Sequence, residues 1–158
     1  MKVKFGDIVT VKVPENFLKL NDDQMADKII ASRKPLGMYS SMSGSADFSV
    51  SVGNSARNPW EDKDLGLMAS FQKSNIMSLF STVEFIQEKT IKISGQSFAH
   101  FEFISEVKEK GKPPLRKYNN LLYTIKKRNV LVFSFICSEK ERPLYESIAN
   151  EMMQSIRF

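Results

Sequence analysis

Val130-Leu131-Val132-Phe133-Ser134-Phe135-Ile136-Cys137 is almost continuously apolar and rich in β-branched and aromatic residues. A strand with one solvated face alternates apolar with polar residues, and this stretch does not. Such runs are typical of strands that are covered on both faces of a sheet. We therefore predict that residues 130–137 form the central strand, and that the other elements either pair with it or cover it.

Shorter stretches nearer the N-terminus also predict strands. Residues 8–13 alternate valines with polar residues and stop at Pro14, which is typical of a half-buried strand. Residues 36–42 predict a second strand. A third strand alternates Ser49 and Ser51 with apolar residues, so one of its faces is solvated or lightly covered. We expect this third strand to lie toward an edge of the sheet.

The C-terminal half predicts a run of antiparallel strands. Residues 83–93 are extended, and residues 98–104 and 118–125 carry apolar side chains on both faces. Lys126-Lys127-Arg128-Asn129 then closes a hairpin into the central strand.

Three helices are predicted around the sheet. Asn21, with Gln24 three residues later, makes a capping box for a short helix that ends at Lys34-Pro35. The longest helix spans Asp64 to Ser81, and Gln72 interrupts its apolar stripe. The apolar stripes are Met25, Ile29 and Ile30 in the first helix; Leu65, Met68, Ala69, Ile76, Leu79 and Phe80, widened by Leu67 and Phe71, in the second; and Leu144, Ile148 and Met152 in a third that begins at about Pro143.

These elements indicate an α+β fold in a single domain spanning residues 1–158. We expect an antiparallel β-sheet of about six strands, flanked by helices on both faces as a three-layer α/β/α sandwich. A chain of this length buries about 68–70% of its unfolded surface, which is enough for one core.

Two short motifs and the order of elements resemble a known superfamily. Val11-Lys12-Val13-Pro14-Glu15-Asn16-Phe17 leads from a strand to a proline and an aromatic residue, and Ser155-Ile156-Arg157-Phe158 is a small-Ile-x-Phe ending. With these motifs and this order, the chain resembles the PsbP/Mog-like superfamily, which includes photosystem II extrinsic subunits, the Ran-release factor Mog and bacterial DcrB-like proteins. The resemblance implies a non-enzymatic role in binding or assembly. No functional residue of the family is carried over to this chain.

The composition is that of an ordinary soluble globular protein, with 42% apolar and 26% charged residues. The net charge is +5. The basic residues of 108–117 and 126–128 flank one predicted strand and so lie about 25 Å apart, which does not make one continuous basic stripe. We therefore expect no specific nucleic-acid binding. No run reaches the ~18 apolar residues of a membrane span, so no transmembrane segment is predicted.

Cys137 is the only cysteine, and a thiol in the central strand is expected to be buried and unreactive. A chain without disulfides favours the cytoplasm, and an exported protein whose leader has been removed is the alternative. Residues 1–6 lack the apolar core of a signal peptide. The oligomeric state is left open by the sequence.

The residues available for catalysis are few. His100 is the only histidine, and Glu102, two residues on along the same strand face, is placed to orient its ring. No nucleophile accompanies them, because the only thiol lies in the central strand and no Gly-x-Ser-x-Gly turn exists. We therefore predict that the protein is not an enzyme and that His100 is structural.

No metal or cofactor site is predicted. Zinc sites need several Cys or His ligands, and this chain has one of each. The acidic residues of 22–27 and 61–64 lie at predicted helix starts, where capping accounts for them. The glycines are scattered singly, without a G-x-G-x-x-G or Gly-Lys-Ser/Thr motif, so no phosphate-binding loop is expected.

The candidate partner-binding residues are Trp60 and a basic loop. Trp60 precedes the long helix, where its indole is either a hydrophobic staple on that helix or an exposed anchor for a partner. Lys110, Lys112 and Arg116 belong to a loop whose shape is restricted by one glycine and two prolines.

The leading hypothesis is a non-enzymatic protein-binding module with an accessory or chaperone-like role. The alternative is a small-molecule or lipid-binding domain with a pocket between a helix and the sheet. Eight methionines and twelve phenylalanines are as suited to lining such a pocket as to filling the core.

Overall fold

The computed structural model describes residues 1–28, 35–53 and 60–158. Within these ranges the strands are β1 Lys2–Phe5, β2 Val9–Lys12, β3 Phe17–Lys19, β4 Pro35–Ser41, β5 Ala46–Gly53, β6 Thr82–Ile93, β7 Gln96–Val107, β8 Leu115–Lys126 and β9 Asn129–Ser138. The helices are α1 Asp22–Ala26, α2 Leu65–Leu79 and α3 Arg142–Gln154.

Seven strands form one antiparallel sheet in the order β3-β4-β5-β9-β8-β7-β6, and β1 pairs with β2 separately. β9 is the fourth of the seven, between β5 and β8, so the predicted central strand is confirmed. The α+β architecture with a large antiparallel sheet is also confirmed. The sheet has seven strands rather than about six, because β3 has only three residues and is too short to show a pattern in the sequence.

The position of β5 corrects one expectation. β5 lies third from the β3 edge rather than toward an edge, and it pairs with β9 from Ala46 to Gly53. Ser49 and Ser51 are half-buried because they face a recess beside α2. The alternating pattern therefore indicates a lightly covered face of a strand, and it does not indicate where that strand lies in the sheet.

Different elements cover the two faces of the sheet. On the face that we call the α3 face, α3 and the β1–β2 pair pack on a large apolar cluster that includes Phe48 and Phe133. On the α2 face, α2 packs mainly over β6, β7 and β8, on a smaller cluster that includes Met68 and Phe103. Side chains alternate along each strand, so one strand contributes to both clusters.

β9 is covered unequally by these two layers. Phe133 and Cys137 point to the α3 face and are fully buried, whereas Val132, Ser134 and Ile136 point to the α2 face and are half-buried. The prediction that this strand is covered on both faces holds at Val130, which is buried in the α2-face cluster, and is wrong for the α2 side from Val132 onward. The reason is that α2 lies mainly over the neighbouring strands β6 to β8.

Burial along α2 also differs from the predicted stripe. Gln72 is buried one turn from Met68, although the sequence shows it as an interruption of the stripe. Leu67, Phe71 and Leu79 are 58%, 55% and 51% exposed, so their placement on the buried stripe is wrong. The sheet under α2 is covered along a narrower line than the apolar residues of the helix suggest.

α3 begins at Arg142 and buries Ala149, Met152 and Met153. The predicted stripe is wrong at Leu144, which is 63% exposed, because the first turn of the helix extends beyond the core. Neither α3 nor any other helix in the described part of the chain is long and apolar enough to cross a membrane.

The capping box of α1 is confirmed. The backbone N–H of Gln24 donates to the Asn21 side chain, and the backbone N–H of Asn21 donates to the Gln24 side chain, both at 2.9 Å. The predicted end of this helix at Lys34-Pro35 is wrong, because α1 ends at Ala26 with Asp27 as its C-cap, and Pro35 begins β4. Ile29 and Ile30 of the predicted stripe lie outside the described residues.

Candidate functional site

A groove lies between α2 and the part of the sheet that α2 leaves open. Its volume is about 210 Å³, and the described residues that line it come from α2, β4, β5, β7, β8 and β9, with Lys28 after α1 and Phe80 after α2. Ser49, Ser51 and Ser134 lie on its floor, and Ile76 and Phe80 lie on its helical wall. We call this recess the α2 groove.

Gln72 is the polar side chain that α2 buries, and it lines the α2 groove. It is 8% exposed, and its amide makes no hydrogen bond to any residue that the structure describes. Sequence reasoning missed this residue as a site residue. The one signal for it was the interruption of an apolar helical stripe by an amide.

Hydroxyl groups cross the floor of the groove from strand to strand. Ser49 on β5 lies directly opposite Ser134 on β9, and within the described ranges neither side chain has a hydrogen-bond partner. At the rim, the Lys28 ammonium lies 3.1 Å from an Asp47 oxygen and donates to the Gly44 carbonyl at 3.0 Å. The floor therefore carries unpaired serine hydroxyls among apolar side chains such as Leu121 and Val132, whereas the charge at the rim is neutralised.

The outer surface of α2 carries two exposed apolar side chains, Leu67 and Phe71. We call these two and Trp60, which lies before the helix, the aromatic patch. Leu67 and Phe71 are one helical turn apart, and each is more than half exposed. The Trp60 ring packs edge-on against Phe71 with the ring centroids 5.8 Å apart. The backbone N–H of Trp60 donates to the Arg128 carbonyl at 3.3 Å, which ties it to the β8–β9 turn. Trp60 is half-buried against the α2-face cluster and contacts the helix, as a staple does, and it borders the exposed side chains of Leu67 and Phe71.

The basic loop lies at the other end of β8. Lys110 and Lys112 are exposed, and the Lys112 ammonium is 3.0 Å from Glu109. β8 runs from Leu115 to Lys126, so about 36 Å separate this loop from the end of the sheet that holds Trp60. The structure does not bring the four predicted partner-binding residues together.

Arg116 lies in β8 rather than in the loop, because the strand begins at Leu115, and carboxylates of the same chain hold it there. Its guanidinium nitrogens lie 2.7 Å from Glu139, 3.1 Å from Glu84 and 3.6 Å from Glu106. The hydrogen bonds to Glu139, and then to Glu84, raise the pKa of Arg116 above its ordinary value. The guanidinium therefore joins β6, β7 and the turn after β9, which is a structural role.

A buried polar cluster lies on the α3 face. Asn120 is fully buried and its Nδ2 donates to Asn150 Oδ1 at 3.0 Å, so its Oδ1 accepts from His100 Nε2 at 2.9 Å. The Tyr118 hydroxyl donates to the Glu102 carboxylate. Glu102 therefore does not orient the imidazole, as the sequence suggested, because it is bound to Tyr118 and Asn120 holds the ring instead.

The reactive groups of the chain are sealed within this face. Burial lowers the pKa of His100, which keeps its ring neutral near pH 7, and it raises the pKa of Cys137 to about 12. Cys137 is 1% exposed, which confirms the predicted buried thiol. Among the residues that the structure describes, no group of three or more His, Cys, Asp or Glu side chains is arranged to hold a metal ion.

No protein-family model and no curated protein matches the chain, but solved structures do. The cyanobacterial PsbP protein CyanoP from Synechocystis superposes with a TM-score of 0.65 and 13% sequence identity, over 99% of this chain and 91% of that protein. The chain has the PsbP/Mog-like fold.

Two further structures share this fold. The Ran-binding protein Mog1p of Saccharomyces cerevisiae has a TM-score of 0.62 at 15% identity, over 99% of this chain and 94% of its own. The protein of unknown function PA94 from Pseudomonas aeruginosa has a TM-score of 0.57 at 14% identity, over 98% and 94% of the two chains. At these identities the likeness concerns the PsbP/Mog-like fold alone.

Proposed function

We propose that the protein is a non-enzymatic protein-binding module with an accessory or chaperone-like role, whose partner docks on the aromatic patch. The observation that carries the proposal is the exposure of Leu67 and Phe71 beside the Trp60 ring. Aromatic side chains with apolar neighbours are enriched at the centres of protein interfaces. The likeness to Mog1p, which is described as a Ran-binding protein, supports a protein partner.

The charges beside the patch indicate the chemistry of the partner surface. Glu61, Asp62 and Asp64 directly follow Trp60 in the chain, with Lys63 as the only basic residue among them. Lys63 is already 3.2 Å from Glu61. Because opposite charges at a rim favour encounter and orientation, the partner surface is an apolar pocket bordered by basic side chains.

Trp60 is a better anchor than the basic loop. A partner that used Arg116 would have to displace carboxylates at 2.7 and 3.1 Å, and Lys112 already pairs with Glu109. Leu67 and Phe71 need no such exchange, because burying them only removes apolar surface from water. The roles predicted for Lys110, Lys112 and Arg116 in partner binding stay predictions.

The absence of catalysis is supported by the burial of the groups that would perform it. His100 and Cys137, the only imidazole and the only thiol, are 7% and 1% exposed. His100 is held by an amide, without a nucleophile in its hydrogen-bonding environment.

The proposal includes the expected architecture, a single domain built of three layers. Residues 1–158 act as one domain of three layers, which are α2, the seven-stranded sheet, and α3 with the β1–β2 pair. The packing of α2 and α3 on apolar clusters of opposite faces supports this description.

The experiment is site-specific photocrosslinking in cells of the natural host. A photoreactive amino acid replaces Leu67 in one variant and Leu144, an equally exposed leucine of α3, in a matched control. The expected result is a discrete protein adduct from position 67 and none from position 144. Adducts from both positions in equal amount, or from neither, would contradict the proposal.

Substitutions then separate the two candidate surfaces. Trp60→Ala is expected to weaken the adduct-forming interaction about 25-fold, which corresponds to the ~2 kcal/mol of an interface hot spot. The double variant Lys110→Ala, Lys112→Ala is expected to leave it unchanged. Loss of the adduct only in the lysine variant would transfer the binding surface to the basic loop.

A further inference from the structure

The α2 groove is a second, separate candidate site, because it opens between α2 and the sheet rather than on the outer surface of α2. Its volume of about 210 Å³ equals that of roughly seven water molecules in the liquid, at about 30 Å³ each. It is smaller than the ~300–1,000 Å³ of drug-sized pockets, so an occupant has roughly seven to ten non-hydrogen atoms.

Gln72 is the feature of the groove that the fold itself leaves unexplained. More than nine-tenths of this side chain is buried, it lines the groove, and its amide has no partner among the described residues. Folded proteins pair nearly all their buried polar groups with protein or water. Among the described residues the one fully buried side-chain polar atom without a partner is His100 Nδ1, so the Gln72 amide is not sealed off and its partner comes from the groove. An amide has both a donor and an acceptor, so its best complement is a group that also has both.

The two walls determine the rest of the chemistry. Ile76 and Phe80 offer an apolar surface, and the hydroxyls of Ser49 and Ser134 offer additional hydrogen bonds on the floor. Among the described lining residues Lys28 is the only charged one, and Asp47 neutralises it at 3.1 Å. An amphipathic molecule without net charge fits this lining better than an anion or a pure hydrocarbon.

We propose that the α2 groove binds a small uncharged amphiphile through a carboxamide-like group that pairs with the Gln72 amide, while its apolar part lies against Ile76 and Phe80. The inference is independent of the protein-binding proposal, because it uses none of the three residues of the aromatic patch. It also specifies a ligand chemistry for the alternative hypothesis of a pocket between a helix and the sheet.

The test is an NMR titration of the isotope-labelled full chain with three probes of equal size. Hexanamide carries the required group, heptan-2-one replaces its NH₂ by a methyl group, and hexanoate replaces it by a charged oxygen. We expect saturable shifts of the Gln72 side-chain amide and of the Ser49 and Ser134 backbone amides. Hexanamide is expected to bind at least about tenfold more tightly than either of the other probes, because only it satisfies both atoms of the Gln72 amide.

Gln72→Leu removes the amide and keeps the groove apolar. This variant is expected to reduce the affinity for hexanamide to that for heptan-2-one, and to leave heptan-2-one binding unchanged. Gln154→Leu, at an exposed glutamine of α3, is the matched control and is expected to retain the preference.

Three results would overturn the proposal: no saturable shift in the groove, equal affinities for hexanamide and heptan-2-one, or a preference that survives in Gln72→Leu. Shifts confined to the outer surface of α2 would also overturn it, since they would indicate adsorption on the aromatic patch. The comparison of the three probes with the unaltered chain does not depend on the folding of any variant.

Discussion

The two faces of the sheet each bury a carboxamide, but they treat it differently. On the α3 face Asn120 is fully buried and bonds to His100, Tyr118 and Asn150. On the α2 face Gln72 is 8% exposed, and no described residue hydrogen-bonds to its side chain. The difference extends to the strands beneath, because β9 buries its α3 side fully and its α2 side only in part.

This contrast indicates a division of roles between the faces. A buried polar group that is fully paired inside the fold contributes to stability and to the choice of one structure. The Gln72 amide has no partner and opens onto the α2 groove, whereas the one fully buried unpaired side-chain atom among the described residues, His100 Nδ1, lies on the α3 face. An amide in this position contributes little to stability and is available to a ligand. The α3 face therefore stabilises the fold, and the α2 face is where we place binding.

The largest expected loss of unfolding free energy appears when two neighbouring residues of β9, which face opposite sides of the sheet, are compared. Phe133, which is fully buried and packs edge-on against Phe98, is expected to lose about 3–5 kcal/mol of unfolding free energy on substitution by alanine. Val132→Ala, on the half-buried α2 side, is expected to lose only about 1 kcal/mol. Urea unfolding of both variants measures these losses. If the loss of unfolding free energy per removed carbon atom were similar in the two variants, the faces would not differ in how they stabilise the fold.

Asn120→Leu is expected to cause the next largest loss of unfolding free energy. The substitution removes an amide and leaves the buried His100 ring, whose Nδ1 already lacks a partner, without its Nε2 hydrogen bond, so a loss of about 2–3 kcal/mol is expected. The exposed Asn75→Leu, on α2, is the control and is expected to stay within about 0.5 kcal/mol of the unaltered chain. A loss for Asn120→Leu no larger than that of the control would mean that the buried cluster does not stabilise the fold.

A smaller effect concerns the pH dependence of the α3 face. Burial lowers the pKa of His100, while Glu102 and the Asn120 hydrogen bond oppose this and Lys89 adds to it. The unfolded chain therefore binds a proton more readily, so the stabilisation is present above the unfolded pKa of about 6.5 and is lost as pH falls through the folded pKa. The loss amounts to about 1.4 kcal/mol for each unit by which the pKa is lowered.

His100→Asn removes the titrating group and makes this dependence measurable. Unfolding free energies at about pH 7.5 and about pH 5.5 are expected to fall more steeply in the unaltered chain than in the variant, because only the former titrates near pH 6.5. Parallel slopes in the two proteins would show that His100 is not held in its neutral form by burial.

Patterns that depend on one strand or one turn could be predicted from the sequence. The apolar run of residues 130–137 gave the centre of the sheet, and Asn21 with Gln24 gave the capping box of α1. The hairpin turn after β8 was also predicted, and Lys127 and Arg128 adopt positive φ angles there. In each case the physical cause lies within a few consecutive residues.

Features that depend on which element covers which could not be predicted. The serines of β5 indicated a lightly covered face correctly, but the helix that leaves this face open is distant in the sequence. The apolar character of Leu67 and Phe71 is the same whether they face the sheet or solvent. Gln72 is a site residue only because of the residues that surround it in the fold. The periodicity of a helical sequence does not show which residues those are.

The unfolding free energy of Gln72→Leu tests the division of roles most directly. Because the amide has no described partner to lose, and leucine places apolar atoms at a largely buried position beside the groove, we expect the variant to be as stable as the unaltered chain within about 0.5 kcal/mol, or more stable. This would contrast with the loss expected for Asn120→Leu, in which a paired amide on the other face is replaced by the same side chain. A loss for Gln72→Leu of about 2 kcal/mol or more would contradict the account, because it would show that the amide stabilises the folded chain and is not kept for a ligand.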